Sequence, residues 1–171
     1  MSQTLLAKGI TSTVDAGGKR AHILFLDYDD SKIFDVHTVA CELPGVTMIS
    51  RSSPGSYHVI NTTVRSKVRT ESLMYMLRND EVHNRIGYDR NRWTLRLGPK
   101  GFEGGDIYKN SPEPLAVYVN DTDREQSAGH LRLIAAAAKR AGLFEPRPDA
   151  FNLIHGGLEL ENYSTIVKEG Q

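Results

Sequence analysis

The segment His22-Ile23-Leu24-Phe25-Leu26 is apolar almost throughout and runs straight into Asp27-Tyr28-Asp29-Asp30. A short apolar run of this kind reads as a buried strand. Side chains alternate across a strand, so Asp27 and Asp29 leave it on the same face. Two neighbouring carboxylates repel each other unless a positive object lies between them, and a divalent cation held by oxygen ligands is the simplest such object. The question put to the remaining sequence is what else points at this pair.

A chain of 171 residues is expected to form one domain and is long enough to bury a real core. With 39% hydrophobic and 25% charged residues it has the composition of an ordinary globular protein. Its formal net charge is zero, so any attraction for a polyanion must come from local charge. The single cysteine, Cys41, excludes an internal disulfide, fits a reducing compartment and is expected as a buried thiol within a helix. No apolar run reaches membrane length. Thr4-Leu5-Leu6-Ala7 is too short for the core of a signal peptide, so a cytoplasmic protein without a membrane partner is expected.

Residues 1–20 read as a polar, flexible lead, in which Gly17-Gly18-Lys19-Arg20 is a turn rather than a phosphate loop. A first strand covers 21–28, and Ser31, with Asp30, is expected to cap a helix carrying Ile33, Phe34, Val36, Val39, Ala40 and Leu43. Residues 46–60 read as a hairpin turning at Ser52-Ser53-Pro54-Gly55. Residues 63–80 read as mostly helical, 93–97 as a strand, 100–114 as a loop and 115–119 as an extra strand. Asp123 is expected to cap a helix over about 124–142. The order β-α-β-β-α-β predicts an α+β protein with a ferredoxin-like, or RRM-like, core. The added strand and C-terminal helix complete a domain over 21–145, with 146–171 as an appendage. In that topology the first and third strands are neighbours, the fourth strand flanks the first, and one face of the sheet is free to bind a ligand.

On this scaffold Asp27 and Asp29 share a face of the first strand, and Ser56 and His58 share a face of the third, beside them. Asp89 is expected just before the fourth strand, and Arg96 on its polar side. Tyr57 and Trp93 fall by parity on the core side. The set combines ligands for Mg2+ or Mn2+ (Asp27, Asp29, Asp89) with groups suited to phosphates (His58, Arg96). Residues 65–100 hold nine Lys or Arg against four acids, a local positive stretch that suits a polyanion.

The ordered motifs Phe25-Leu26-Asp27-Tyr28-Asp29, Ser56-Tyr57-His58-Val59 and Gly87-Tyr88-Asp89-Arg90, followed by Leu95-Arg96-Leu97-Gly98-Pro99-Lys100, resemble the catalytic core of the archaeo-eukaryotic primases and primase-polymerases. The resemblance spans about residues 21–100. It implies a metal-dependent nucleotidyltransferase that makes or extends RNA or DNA from nucleoside triphosphates on a nucleic-acid template. It also implies Asp27, Asp29 and Asp89 as catalytic metal ligands, and Ser56, His58, Arg96 and Lys100 as nucleotide contacts. A helicase or another replication protein is an implied partner. The lone cysteine leaves no evident zinc knuckle. Three other readings stand beside this one: a non-catalytic nucleic-acid-binding accessory protein on the same scaffold, a metal-dependent phosphohydrolase, and an assembly protein whose acids only cap a helix.

Overall fold

The computed structural model describes residues 2–143, 146, 151–154 and 159–168. Its strands are β1 (Ser2–Thr11), β2 (Thr13–Ala16), β3 (Lys19–Tyr28), β4 (Gly45–Ser53), β5 (Ser56–Arg65), β6 (Thr94–Phe102), β7 (Ile107–Lys109), β8 (Glu113–Asn120), β9 (Gln126–Ser127), β10 (Leu153–Ile154) and β11 (Leu160–Lys168). Its helices are α1 (Ile33–Glu42), α2 (Lys67–Met76), α3 (Glu81–Arg90) and α4 (Ala128–Arg140). The protein is therefore α+β.

The acidic-ended strand lies at the centre. Ile23, Leu24, Phe25 and Leu26 of β3 are fully buried. Its partner is β5, antiparallel, with Leu26 opposite Val59 and Asp27 opposite His58. The β4–β5 hairpin forms as expected, with Gly55 at φ 73° in its turn, a conformation that glycine adopts freely. On its outer edge β4 pairs with β8. Tyr28 on one face sends its hydroxyl to the Leu77 carbonyl at the end of α2, and His37 of α1 bonds Tyr118 of β8 on that same side. The other face carries Phe25, Asp27, His58 and Ile60. It is not left free: α4 packs there, His130 meeting Phe25 edge-on with ring centroids 5.9 Å apart.

The last expected pairing is not the observed one. β6 hydrogen-bonds to β1 and β7, not to β3. Beside β3 two other segments satisfy the backbone. Ser12, at the corner between β1 and β2, accepts from Ile23 N–H and donates its own N–H to the Trp93 carbonyl. Farther along, the turn between α2 and α3 docks on the strand: Asp27 N–H donates to Asn79 Oδ1 at 2.5 Å, and Asp80 N–H donates to the Asp27 carbonyl at 3.1 Å. The N-terminal residues read as a flexible lead are thus strands, with β1 paired to β6 and β11 and β2 to β3. Through the Ser12 corner the four-stranded sheet β11-β1-β6-β7 continues into the seven-stranded one, giving a nearly closed, barrel-like wall.

Other local expectations change for local reasons. The helix read over 63–80 is shorter: β5 runs on to Arg65, α2 covers only Lys67–Met76, and Asp80 caps a further helix, α3, its carboxylate accepting from His83 N–H at 2.7 Å. The α1 N-cap is Lys32, without a side-chain bond, and Ser31 instead donates to the Asp29 carbonyl. The α4 N-cap is Ser127, not Asp123. The loop read over 100–114 includes the end of β6 and all of β7. Cys41 is exposed on α1, not buried. Tyr57 and Trp93 are buried, as parity predicts.

Gly87 lets α3 close on the indole of Trp93, which is 1% exposed. A Cβ on Gly87 would lie 2.0 Å from Trp93 Cδ1 and 2.2 Å from its Nε1. Gly87→Ala is therefore expected to destabilise the fold by about 3 kcal/mol through overpacking, despite alanine's better helix propensity. Urea denaturation measures this, and an unchanged midpoint would contradict the packing described.

Candidate functional site

The site forms where β3 and β5 end beside the α2–α3 turn. Cross-strand register sets Asp27 against His58, with His58 Nε2 3.7 Å from Asp27 Oδ1. On the other side of β5, Ser50 of β4 stands opposite His58 and is buried. Asp29 follows Asp27 by two and is exposed. Asp80, placed by its backbone bond to Asp27 and by its capping of α3, is the third acid near the pair.

Asp27 and His58 are not an ion pair at neutral pH. Burial, then repulsion from Asp29 and Asp80, pushes the Asp27 carboxyl up to about 7, and the cations Lys109 and Arg96 only partly oppose this. Burial first, then Arg96, His83 and Lys109, lowers His58 to about 3, so its imidazole is neutral. The site holds a carboxyl group that exchanges its proton near pH 7 beside an uncharged ring, an arrangement found where groups are set for chemistry.

The cations come from β6 and β7. Arg96 is largely buried and works as a clamp: Nη2 donates to the Ser52 carbonyl at 2.8 Å and Nη1 to the carbonyls of Gly98 and Asn110. It thereby ties β6 to the end of β4 while keeping a positive charge beside Asp27 and His58. Lys100 of β6 lies directly opposite Lys109 of β7. Like charges placed opposite each other across a ladder are unfavourable without an anion. Burial, then Lys109 and Arg96, lowers the Lys100 ammonium. A cavity of about 550 Å3 adjoins the pair between the sheet and α4, with Ser50, His58, Arg96 and Arg140 among apolar neighbours such as Ile60 and Leu133. An open, partly apolar cleft with a few polar groups suits a small ligand such as a nucleoside.

Of the residues selected from sequence, Asp27, Asp29, His58, Arg96 and Lys100 fall in or beside this region, and Ser56 opens β5 two residues before His58 on the same face. Asp89 is different: it sits exposed in the last turn of α3, and the charges that act on Asp27 are Asp29, Asp80, Lys109 and Arg96. The helix persists past Gly87 to Arg90 and stops only at Asn91, at φ 55°. Sequence reasoning missed Asp80, Lys109 and Ser50. The Asn79-Asp80 pair is an N-cap signal that divides the helical stretch and would have drawn attention to Asp80.

The donor set can be tested against a divalent cation. Asp27, Asp29 and Asp80 offer the oxygen ligands that Mg2+ or Mn2+ requires, and repulsion from Asp29 and Asp80 adds to the larger effect of burial in raising the Asp27 carboxyl. As placed, no three His, Cys, Asp or Glu side chains among the described residues converge as a preformed metal centre. The donor chemistry of these three acids suits a divalent cation, while their placement does not form its site. Among the described residues, no helix is long and apolar enough to cross a membrane. No protein-family model, curated protein or solved structure matches the chain.

Proposed function

We propose that the protein is a metal-dependent nucleotidyltransferase of the primase-polymerase type, acting on nucleoside triphosphates and a DNA or RNA strand. The observation that carries this reading is the register pair Asp27–His58, with acids on one side of it and Arg96, Lys100 and Lys109 on the other. Asp27 and Asp29, with Asp80 in place of Asp89, would hold Mg2+ or Mn2+. The cation, when bound, would supply charge stabilisation for the attacking and leaving oxygens of phosphoryl transfer. The chain itself does the rest. Lys100 and Lys109 draw the polyphosphate to the paired strands β6 and β7. The neutral His58 and Ser50 offer hydrogen bonds to it without adding charge. The cleft beneath α4 receives the nucleoside, its apolar wall excluding water from the sugar and base.

Primer extension on a labelled template with Mg2+ or Mn2+ tests the proposal. Wild-type protein is expected to incorporate nucleotides, and Asp27→Ala with Asp29→Ala to be inactive. If both incorporate equally, or neither does at any metal tried, the proposal fails. The exposed position of Asp89 favours one second reading, a nucleic-acid-binding accessory protein without catalysis. It predicts salt-dependent strand binding that survives loss of Asp27 and Asp29.

A further inference from the structure

A second charged cavity lies at the far end of β5. His58 and Arg65 are seven residues apart on this strand, roughly 23 Å at the rise of an extended chain. The cavity, of about 540 Å3, is bordered by Arg65, Arg69, Arg124, Thr63, Asp123 and Glu125. Arg65 is 8% exposed. Its Nη1 donates to the Thr63 carbonyl at 2.7 Å, while Nη2 is buried with no hydrogen-bond partner. A buried guanidinium is normally paired with an acid. Among the described residues no carboxylate lies within ion-pair distance of Arg65 or Arg69, and Arg124 reaches only Asp121, through an exposed contact of 3.4 Å. The charges that act on Arg65 are those of Arg124 and Arg69, which together with the larger effect of burial pull its pKa down to about 10.

The same place is the start of α2. Its first turn has no acid and bears Lys67 and Arg69, with Arg65 just before the Ser66 cap. Cations at a helix N-terminus oppose the helix dipole, and an anion there is favoured both by the dipole and by the free N–H groups. Lys67 is already engaged, 3.6 Å from Glu71 and 4.7 Å above the Tyr88 ring. Arg65, Arg69 and Arg124 remain as three guanidiniums on one cavity at a helix start. Guanidiniums match phosphate in geometry and charge.

We propose that Arg65, Arg69 and Arg124 form a binding site for a phosphate group, separate from the Asp27–His58 site. The site stands whether or not Asp27 supports nucleotidyl transfer. The phosphate has two sources of the same chemistry: a free phosphate or mononucleotide, and the phosphate of a nucleic-acid strand.

Titration calorimetry of the full chain with inorganic phosphate tests the site. Arg69 and Arg124 are exposed, so Arg69→Ala with Arg124→Ala leaves the fold intact. This double variant is expected to weaken binding by about tenfold or more, and Arg65→Lys, which keeps charge but loses the fork, to weaken it too. Arg132→Ala, an exposed arginine of α4 that borders neither site, is expected to leave this binding unchanged. Oligonucleotides with a 5′-phosphate or a 5′-hydroxyl separate the sources. A preference for the 5′-phosphate that is lost in the double variant assigns the site to a strand end. Competition by inorganic phosphate with no such preference assigns it to a free anion. No phosphate binding by the wild type, or binding that the double variant leaves untouched or that Arg132→Ala weakens as much, overturns the proposal.

Discussion

Asp27→Asn is expected to make the protein more stable and, on the proposed mechanism, inactive. Above about pH 7 the wild-type carboxyl is ionised while partly buried beside Asp29 and Asp80. The unfolded chain ionises the same group at 3.8 without that penalty. The difference costs the fold roughly 2 kcal/mol at pH 8, allowing for solvent at a side chain 28% exposed. Asparagine keeps the shape and removes the charge, so its urea midpoint at pH 8, with divalent ions chelated, is expected to rise. Nucleotide incorporation is expected to fall about a thousandfold or more, because a ligand of the proposed metal ion is lost. Asp89→Asn, on the exposed face of α3, is expected to change neither quantity. A less stable Asp27→Asn protein at pH 8 would refute the electrostatic account of the pair.

The parts of this fold that were legible in the sequence are those whose cause is local. The β4–β5 hairpin follows from a turn whose Pro54-Gly55 lies between alternating runs, and the β3–β5 register follows from burying Leu24 and Leu26 on one face. That register is why Asp27 and His58 were placed together correctly. What escaped is what depends on distant pairing. β1 meets β11, Leu6 opposite Ser164, with no local pattern in either segment to announce the other. Once β6 is taken by β1, the edge of β3 is satisfied by Ser12 and by the α2–α3 turn. This exchange is also what substitutes Asp80 for Asp89 near the carboxylates. Lys109 lay hidden because β7 is three exposed residues without an alternating face. Arg96 was read as a ligand contact from its place on a strand, whereas its three carbonyl acceptors show a clamp whose charge still reaches the site.

Acidification is expected to unfold the protein cooperatively between about pH 6 and pH 4. Four histidines are held neutral inside the fold. Burial, the largest cause in each, lowers His22, His83 and His130 to about 4 and His58 to about 3, from an ordinary 6.5. Its contacts set the tautomer of the neutral His130 ring: Nε2 donates to the Thr11 carbonyl at 2.9 Å, so Nδ1 is left to accept from the Ser127 hydroxyl at 2.6 Å. Between the folded values and 6.5 the unfolded chain binds more protons than the folded one, so stability is lost as pH falls through this window. At roughly 2 kcal/mol each, four such groups match much of a typical stability of about 5–15 kcal/mol. Asp27 acts with the opposite sign. Its folded form keeps the proton up to about 7, so acidification from there toward 3.8 removes a penalty. One carboxyl offsets only part of four imidazoles. Stability is therefore expected to fall steeply on the acid side and to level off above about pH 7, where the imidazoles are neutral in both states and Asp27 becomes ionised in both. Melting temperatures followed by circular dichroism across this range measure the profile. A melting temperature at about pH 4.5 equal to that at pH 7 would show that the imidazoles are not held neutral by the fold.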